Sequence, residues 1–290
     1  MIITLVIHNT CSRETENGVM EDLVPWCVVT FDSMERPPAE RISMLKDMGF
    51  TKYGYEMRSG YPFYLKEEIE LAYENGIEIT SVFLWLNAKR DSIGKLSSVN
   101  KRILNILEDS EAKPTLWLSM SQNYFEGLDE EKSMKLALEY VRYIKDKAND
   151  VGCKIALYNH HGWFGNPYHQ VEIIDSFNRG ALTMVFNFHH AHDYIDHFPA
   201  IVSKIKPYLS HVNINGMKKH GPQILTVGDG DFEYQMVKTL LDEGYEGSWG
   251  ILGHVESEDV QKVLSQNDNG FNRLISKYEI ELDEAEEEVL

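Results

Sequence analysis

Short apolar runs rich in β-branched and aromatic residues recur eight times along this chain, and a helical pattern follows each, an order that few folds accommodate. The runs cover residues 26–32, 53–57, 77–86, 115–120, 154–160, 182–189, 209–215 and 249–254. Between them, apolar residues fall at three- and four-residue spacings. Met134, Ala137, Leu138, Val141, Ile144 and Ala148 make one stripe; Ile195, Phe198, Ile201, Val202 and Ile205 make another; Phe232, Met236, Val237, Leu240 and Leu241 make a third. That spacing is the period of a helix with one buried face. Met48-Gly49, Asn75-Gly76, Arg179-Gly180 and Glu243-Gly244 stand where such helices should stop. A helix between two strands returns the chain to the same end of the sheet, so the pairing must be parallel. Eight such units predict an α/β fold, a single-domain (β/α)8 TIM barrel over residues 25–278. An open dinucleotide-binding sheet would need a glycine-rich turn after its first strand, and residues 26–34 contain no glycine.

The ends are read separately. Residues 1–24 form an extension whose start, Met1 to Asn9, reads as a short strand: it is too brief to span a bilayer and lacks the basic flank of a signal peptide. Residues 279–290 read as an acidic, solvated C-terminal tail, with Glu279, Glu281, Asp283, Glu284, Glu286, Glu287 and Glu288 and no base among them. The whole chain sets 28 Lys and Arg against 46 Asp and Glu, a net charge of −18. That field repels phosphate backbones and anionic lipid, which argues against nucleic-acid and membrane partners. Cys11, Cys27 and Cys153 are odd in number and show no CxxC spacing, so reduced thiols and a cytoplasmic location are expected.

A barrel of this kind carries its chemistry on the loops that follow its strands. The expected strand ends bring Asp32, Glu56, Trp85 with Asn87, and Ser119 with Ser121 to that rim. The fifth run closes in Tyr158-Asn159-His160-His161 and leads into Gly162-Trp163; the sixth gives Asn187-Phe188-His189-His190-Ala191-His192. The seventh gives Asn213 and Asn215, with Lys218 and Lys219 beyond, and the eighth ends in His254. Of 11 histidines, all but His8 lie between residues 160 and 254. Imidazole is costly to bury unless something uses it, so His160, His190, His192 and His254 are expected to line a ligand pocket. His161, His169, His197, His211 and His220 are expected at the surface or behind the pocket wall. Asn is depleted in strands; Asn159, Asn187, Asn213 and Asn215 either close strands as Asx turns or aim amides at ligand hydroxyls. Trp85, Tyr158, Trp163 and Phe188 either pack or offer the aromatic platform on which sugar rings stack. Lys218 either stays solvated or meets an anionic group of the ligand.

Over roughly residues 25–275, and most specifically in strands five to eight, the sequence resembles the xylose isomerase-like (sugar phosphate isomerase/epimerase) TIM-barrel superfamily. The segments that carry the resemblance are Ala156-Leu157-Tyr158-Asn159-His160, Asn187-Phe188-His189-His190-Ala191, His211-Val212-Asn213-Ile214-Asn215, Gly228-Asp229-Gly230-Asp231-Phe232 and Gly244-Tyr245-Glu246-Gly247. The resemblance implies a barrel acting on a sugar. It also implies a divalent ion held by Glu, Asp, His and Glu at the ends of strands five to eight, which polarises a carbonyl or hydroxyl pair while carboxylates move the proton beside it. Position by position, those ligands fall on Tyr158, Asn187, Asn213 and Leu252. A tyrosine, two amides and a leucine are no site for Mg²⁺ or Mn²⁺. His160 and His190 match substrate-side positions.

The departure leaves three readings. In the first, histidines 160, 190 and 254 with Glu56 move protons beside a sugar carbonyl (isomerisation, epimerisation, or addition and elimination of water), and no cofactor is expected. Tyr158, Asn159, Asn187, His192, Asn213, Asn215, Trp85, Trp163 and Lys218 would then hold the carbohydrate substrate. In the second, a relocated divalent metal, Zn or Mn, sits on His190, His192 and His254. In the third, the barrel binds carbohydrate without turning it over.

Overall fold

A computed structural model of the chain describes residues 23–57 and 63–287; the strand expected in the first nine residues lies outside them. Eight strands, β1 (Leu23–Trp26), β2 (Lys52–Tyr55), β3 (Glu78–Leu86), β4 (Thr115–Met120), β5 (Ile155–Tyr158), β6 (Thr183–Asn187), β7 (Leu209–Ile214) and β8 (Ser248–Leu252), form one sheet. Every pairing is parallel, in the order β1-β8-β7-β6-β5-β4-β3-β2. The longest ladder sets Ser81 through Leu86 of β3 against Thr115 through Met120 of β4. Helices α1 (Pro38–Asp47), α2 (Leu65–Glu74), α3 (Ser98–Glu108), α4 (Glu130–Asp150), α5 (Gly162–Gly165), α6 (Pro167–Asp175), α7 (Phe198–Ile205), α8 (Glu233–Asp242) and α9 (Val260–Glu287) surround it. The fold is a single (β/α)8 TIM barrel.

The barrel is nearly closed. Among the described residues no ladder joins β1 to β2, but the two strands lie side by side. Gly54 makes that approach possible: a Cβ there would stand 2.9 Å from Cε3 of Trp26 and 3.0 Å from Oγ of Ser81. Pro25 brings no N–H to a ladder, which a strand tolerates best at an edge.

Local chemistry explains the helices. Ser97 accepts a hydrogen bond from the Asn100 N–H at the start of α3, and Asp129 accepts one from Lys132 N–H (2.9 Å) at the start of α4. The α4 stripe Ala137, Val141, Ile144 and Ala148 is buried against the sheet, as its spacing predicts. Between α1 and α2, Arg41 and Glu68 form an ion pair with side chains 3% and 0% exposed, and Arg41 Nη2 also donates to the Arg36 carbonyl (2.6 Å).

Strand alternation divides the core in two. Outward residues such as Leu116, Leu118, Leu157, Phe186, Val212 and Ile251 pack under the helices. Inward residues Trp26, Trp117, Ala156, Tyr158, Val185 and Leu252 pack with Cys27, Phe31 and Phe83 in a second cluster that fills the barrel.

Two expectations need correction. The first strand is not residues 26–32 but the four residues ending at Trp26. Cys27 turns the chain with φ 57°, and the β-branched residues after it, Val28 and Val29, are buried in a loop. Sequence bias toward strand there reflects burial rather than pairing. At the other end, residues 279–287 do not separate from the barrel as a tail; they continue α9, with Glu281 3.4 Å from the Lys238 ammonium. Among the described residues no helix is long and apolar enough to cross a membrane.

Candidate functional site

The C-terminal ends of the strands surround a cavity of about 600 Å³, within the range of small-molecule sites, roughly 300–1,000 Å³. Its floor is the aromatic cluster inside the barrel. Trp26 stands 4.6 Å from Trp117 and 5.9 Å from Phe83 between ring centroids, and Trp117 stacks on Tyr158 at 5.8 Å. Trp85 and Phe83 rise from β3 as one wall, with the His160 ring 4.9 Å from Trp85. The β3–α3 loop forms the rim. Asp91 closes it by accepting from the N–H groups of Asn87 (3.0 Å) and Ser97 (2.7 Å) and from Asn100 Nδ2 (2.9 Å), which leaves Arg90 exposed at the mouth.

Glu56 enters from the end of β2. It is 4% exposed and lines the cavity, with Oε1 accepting from the Thr30 hydroxyl (3.2 Å) and N–H (3.4 Å). His254 enters from the end of β8 and packs its ring on Phe31, centroids 3.7 Å apart. Between them the β5 and β6 loops deliver four imidazoles. The His190 ring lies 4.6 Å from His160, 4.3 Å from His161 and 4.4 Å from His189, and His190 Nδ1 is 3.0 Å from His161 Nε2. Burial first, and then the neighbouring imidazoles, hold His190 far below the ordinary histidine value of 6.5, so the ring is neutral. Burial also raises the Tyr158 phenol far above its usual value and keeps it protonated.

The backbone explains why these histidines converge. Strand alternation would send His189 and His190 to opposite faces, but β6 ends at Asn187, whose Oδ1 accepts from the His189 N–H (2.9 Å) and caps a 3-10 turn over Phe188–His190. The turn brings both rings to the cavity. In the β5 loop His161 has φ 28° and Gly162 φ 71°; a Cβ on residue 162 would lie 2.5 Å from Cγ of Gln122. Only glycine can follow His161 there.

Eight of the residues singled out from the sequence line the cavity together: Glu56, Trp85, Asn87, Tyr158, His160, Asn187, His190 and His254. Most of the others have structural partners. Asn159 Oδ1 accepts from the Asn187 N–H (2.7 Å) while its Nδ2 donates to the Asn187 carbonyl (3.2 Å), clamping β5 to β6. Asn213 Oδ1 is 3.0 Å from His211 Nε2, inside the barrel below the cavity. Asn215 Nδ2 donates to the carbonyls of Gly216 and Gln223 (2.8 Å each), bracing the loop after β7. Trp163 donates to Glu130 Oε2 (2.9 Å) and stacks on Phe125 at 4.8 Å. His192 begins the next 3-10 turn, His192–His197, outside the cavity wall, and Lys218 is exposed. Of the residues set aside in the sequence, one is placed differently and one as expected. His161 lines the cavity, and His211 is buried against Trp117 at 4.6 Å between centroids. Burial pushes His211 down to about 4, against the hydrogen bond it donates to Asn213 Oδ1, which acts the other way.

The metal quartet implied by the resemblance does not fit these residues. Asn187 Nδ2 donates to the Tyr158 hydroxyl, Asn213 Oδ1 is held by His211, and Leu252 is apolar. Nor do His190, His192 and His254 assemble, because the turn carries His192 away. The described residues whose side chains could hold a metal are His161, His189 and His190, with ligand nitrogens all within 4.8 Å of one another.

A family model described as "Xylose isomerase-like TIM barrel" matches residues 42–266. No curated protein matches the sequence. Solved structures do match. L-ribulose 3-epimerase superposes with a TM-score of 0.66 at 12% identity, over 92% of this chain and 98% of that one. The apo 3-keto-D-glucoside 4-epimerase of E. coli gives 0.63 at 17% identity, over 87% and 98%. The IOLI protein with a bound zinc atom gives 0.66 at 13% identity, over 88% and 99%. At these identities the likeness is one of fold.

Proposed function

The chain belongs to the xylose isomerase-like TIM-barrel family, and from that membership we propose that its cavity binds a carbohydrate and moves a proton on the carbon beside the sugar carbonyl. The observation that carries the reading is the meeting of one carboxylate and two imidazoles, from Glu56, His160 and His254, over an aromatic floor. Rings such as Trp85 offer a face to sugar C–H groups, and the imidazoles and the Tyr158 phenol offer hydrogen bonds to hydroxyls. One base takes the proton from the carbon beside the carbonyl, giving an enediol. Return of that proton to the neighbouring carbon gives the isomer, and delivery to the opposite face gives the epimer. Glu56 comes from the end of β2 and the two histidines from the ends of β5 and β8, so the three groups reach one cavity from different strand ends. His190, kept neutral by burial and by its imidazole neighbours, lines the same cavity. The epimerases among the similar structures support the reaction class. Buried thiols at Cys27 and Cys153 suit the reducing cytoplasm.

A second reading, binding without turnover, draws on one observation: Tyr158 and Asn187 are bonded to each other at positions where the resemblance implies metal ligands. Incubation with a panel of ketoses and aldoses in D₂O separates the two. We expect deuterium at the carbon beside the carbonyl with the wild-type protein, and exchange slowed by about 10²- to 10⁴-fold in Glu56→Gln and His254→Ala. Sugar binding with no exchange would instead establish the second reading, and wild-type exchange rates in both variants would remove these side chains from the chemistry.

A further inference from the structure

The Tyr158–Asn187 hydrogen bond fills the place where the family resemblance puts a metal, yet the same asparagine organises a different set of ligands. Its Oδ1 caps the turn that brings His189 and His190 to one side, and His161 reaches them from the next loop. The three rings offer nitrogens within 4.8 Å of one another, with His161 Nε2 and His190 Nδ1 at 3.0 Å. A tetrahedral zinc ion with Zn–N bonds of about 2.0–2.1 Å needs ligand nitrogens roughly 3.3 Å apart. One pair is therefore already at ligand spacing, and the third ring must close by no more than about 1.5 Å, within the reach of a side-chain rotation.

The backbone shows that this convergence is built. His161 is held at φ 28° in front of Gly162, whose missing Cβ is what lets the loop press on Gln122. Strain of that sort persists where the surroundings impose it and concentrates at binding sites. The two loops are also tied to each other below the rings by the paired Asn159–Asn187 hydrogen bonds.

We propose that His161, His189 and His190 form a three-imidazole site for a divalent cation of the zinc class. The donor set selects the ion: imidazole suits Zn²⁺, whereas Mg²⁺ and Mn²⁺ prefer oxygen ligands, and no carboxylate belongs to this group. Three protein ligands leave a fourth position open, as in zinc sites that take a water or a substrate oxygen. That position opens on the cavity shared with His254, whose ring lies 5.6 Å from that of His189. The site would therefore grip a ligand oxygen without using any position of the family quartet.

The test is metal titration of the full chain after chelator stripping, with Zn²⁺ and with Co²⁺ as the spectroscopic probe. We expect one equivalent per chain, a Co²⁺ complex with the intense visible bands of tetrahedral coordination, and no displacement by excess Mg²⁺. His161→Ala and His189→Ala should each weaken binding by more than the roughly 10–100-fold that loss of an outer partner costs, while His192→Ala and His254→Ala bind as wild type. His161 is exposed, so its variant keeps the fold, which far-UV circular dichroism checks. Substoichiometric uptake, the weak bands of six-coordinate Co²⁺, or unchanged affinity in His161→Ala would overturn the proposal. Titration reads the cation site alone and deuterium exchange reads the sugar chemistry alone, so either can fail without the other.

Discussion

Asn187 shows how much one side chain can determine at this mouth: Oδ1 fixes the first N–H of the histidine turn, and Nδ2 reaches the Tyr158 hydroxyl. Because the phenol oxygen accepts that bond, its own hydrogen is left to be donated elsewhere, and Tyr158 lines the cavity. Below it, His211 is a buried imidazole that stays neutral. Under pH 6.5 the unfolded chain takes up a proton that folded His211 refuses until about pH 4. Stability therefore falls as pH drops through that window, by up to about 1.4 kcal/mol per pH unit for this one group. His190 acts in the same direction. Urea unfolding at several pH values should show the slope, and His211→Gln should flatten it by about one proton; an identical slope in the variant would exclude His211 as its source. Residue by residue, the sequence marked out Glu56, His160, His190 and His254 through their places at strand ends. It could not mark His161 or His189. Their direction depends on φ 28° at one position and a 3-10 turn at the other, and neither follows from the two-residue alternation of a strand.

At the scale of elements, helices and strands followed local pattern wherever one face is buried and the other wet. β1 did not, because Val28 and Val29 are buried without a ladder and the turn at Cys27 has no glycine to announce it. The join between α1 and α2 was equally silent, since Arg41 and Glu68 sit in helical stretches as ordinary charged residues. In the fold they form an ion pair almost out of reach of water. Removing one partner strands the other in a low-dielectric interior, which costs about 3–5 kcal/mol. We therefore expect Arg41→Ala to lower the free energy of unfolding in urea by that order, and Arg41→Met with Glu68→Leu to recover much of the loss. A double variant no more stable than the single one would mean that the pair's hydrogen bond to the Arg36 carbonyl, rather than the charge, is what matters.

Across the whole molecule, eightfold repetition made the barrel legible, because a parallel βα unit is specified by local periodicity and its handedness follows. The ligand was not legible in the same way, since loops rather than periodic elements shape the mouth. Net charge still acts on it. With −18 on the chain and Glu56 and Asp91 beside the cavity, an anionic sugar approaches against the field. Raising ionic strength from about 0.01 to 0.15 M shortens the screening length from about 30 to 8 Å. Titration calorimetry should then find a sugar phosphate binding more tightly at the higher salt, with its neutral parent unaffected; weaker binding of the phosphate at higher salt would show that Arg90 at the rim governs the encounter instead. Finally, a cylinder whose last two staves touch without lacing has a preferred place to unzip. Amide deuteration should reach Leu23–Trp26 and Lys52–Tyr55 well before Thr115–Met120, which is laced on both sides. Since Glu56 follows the first-opening stave directly, breathing of the wall and loosening of the carboxylate should rise and fall together.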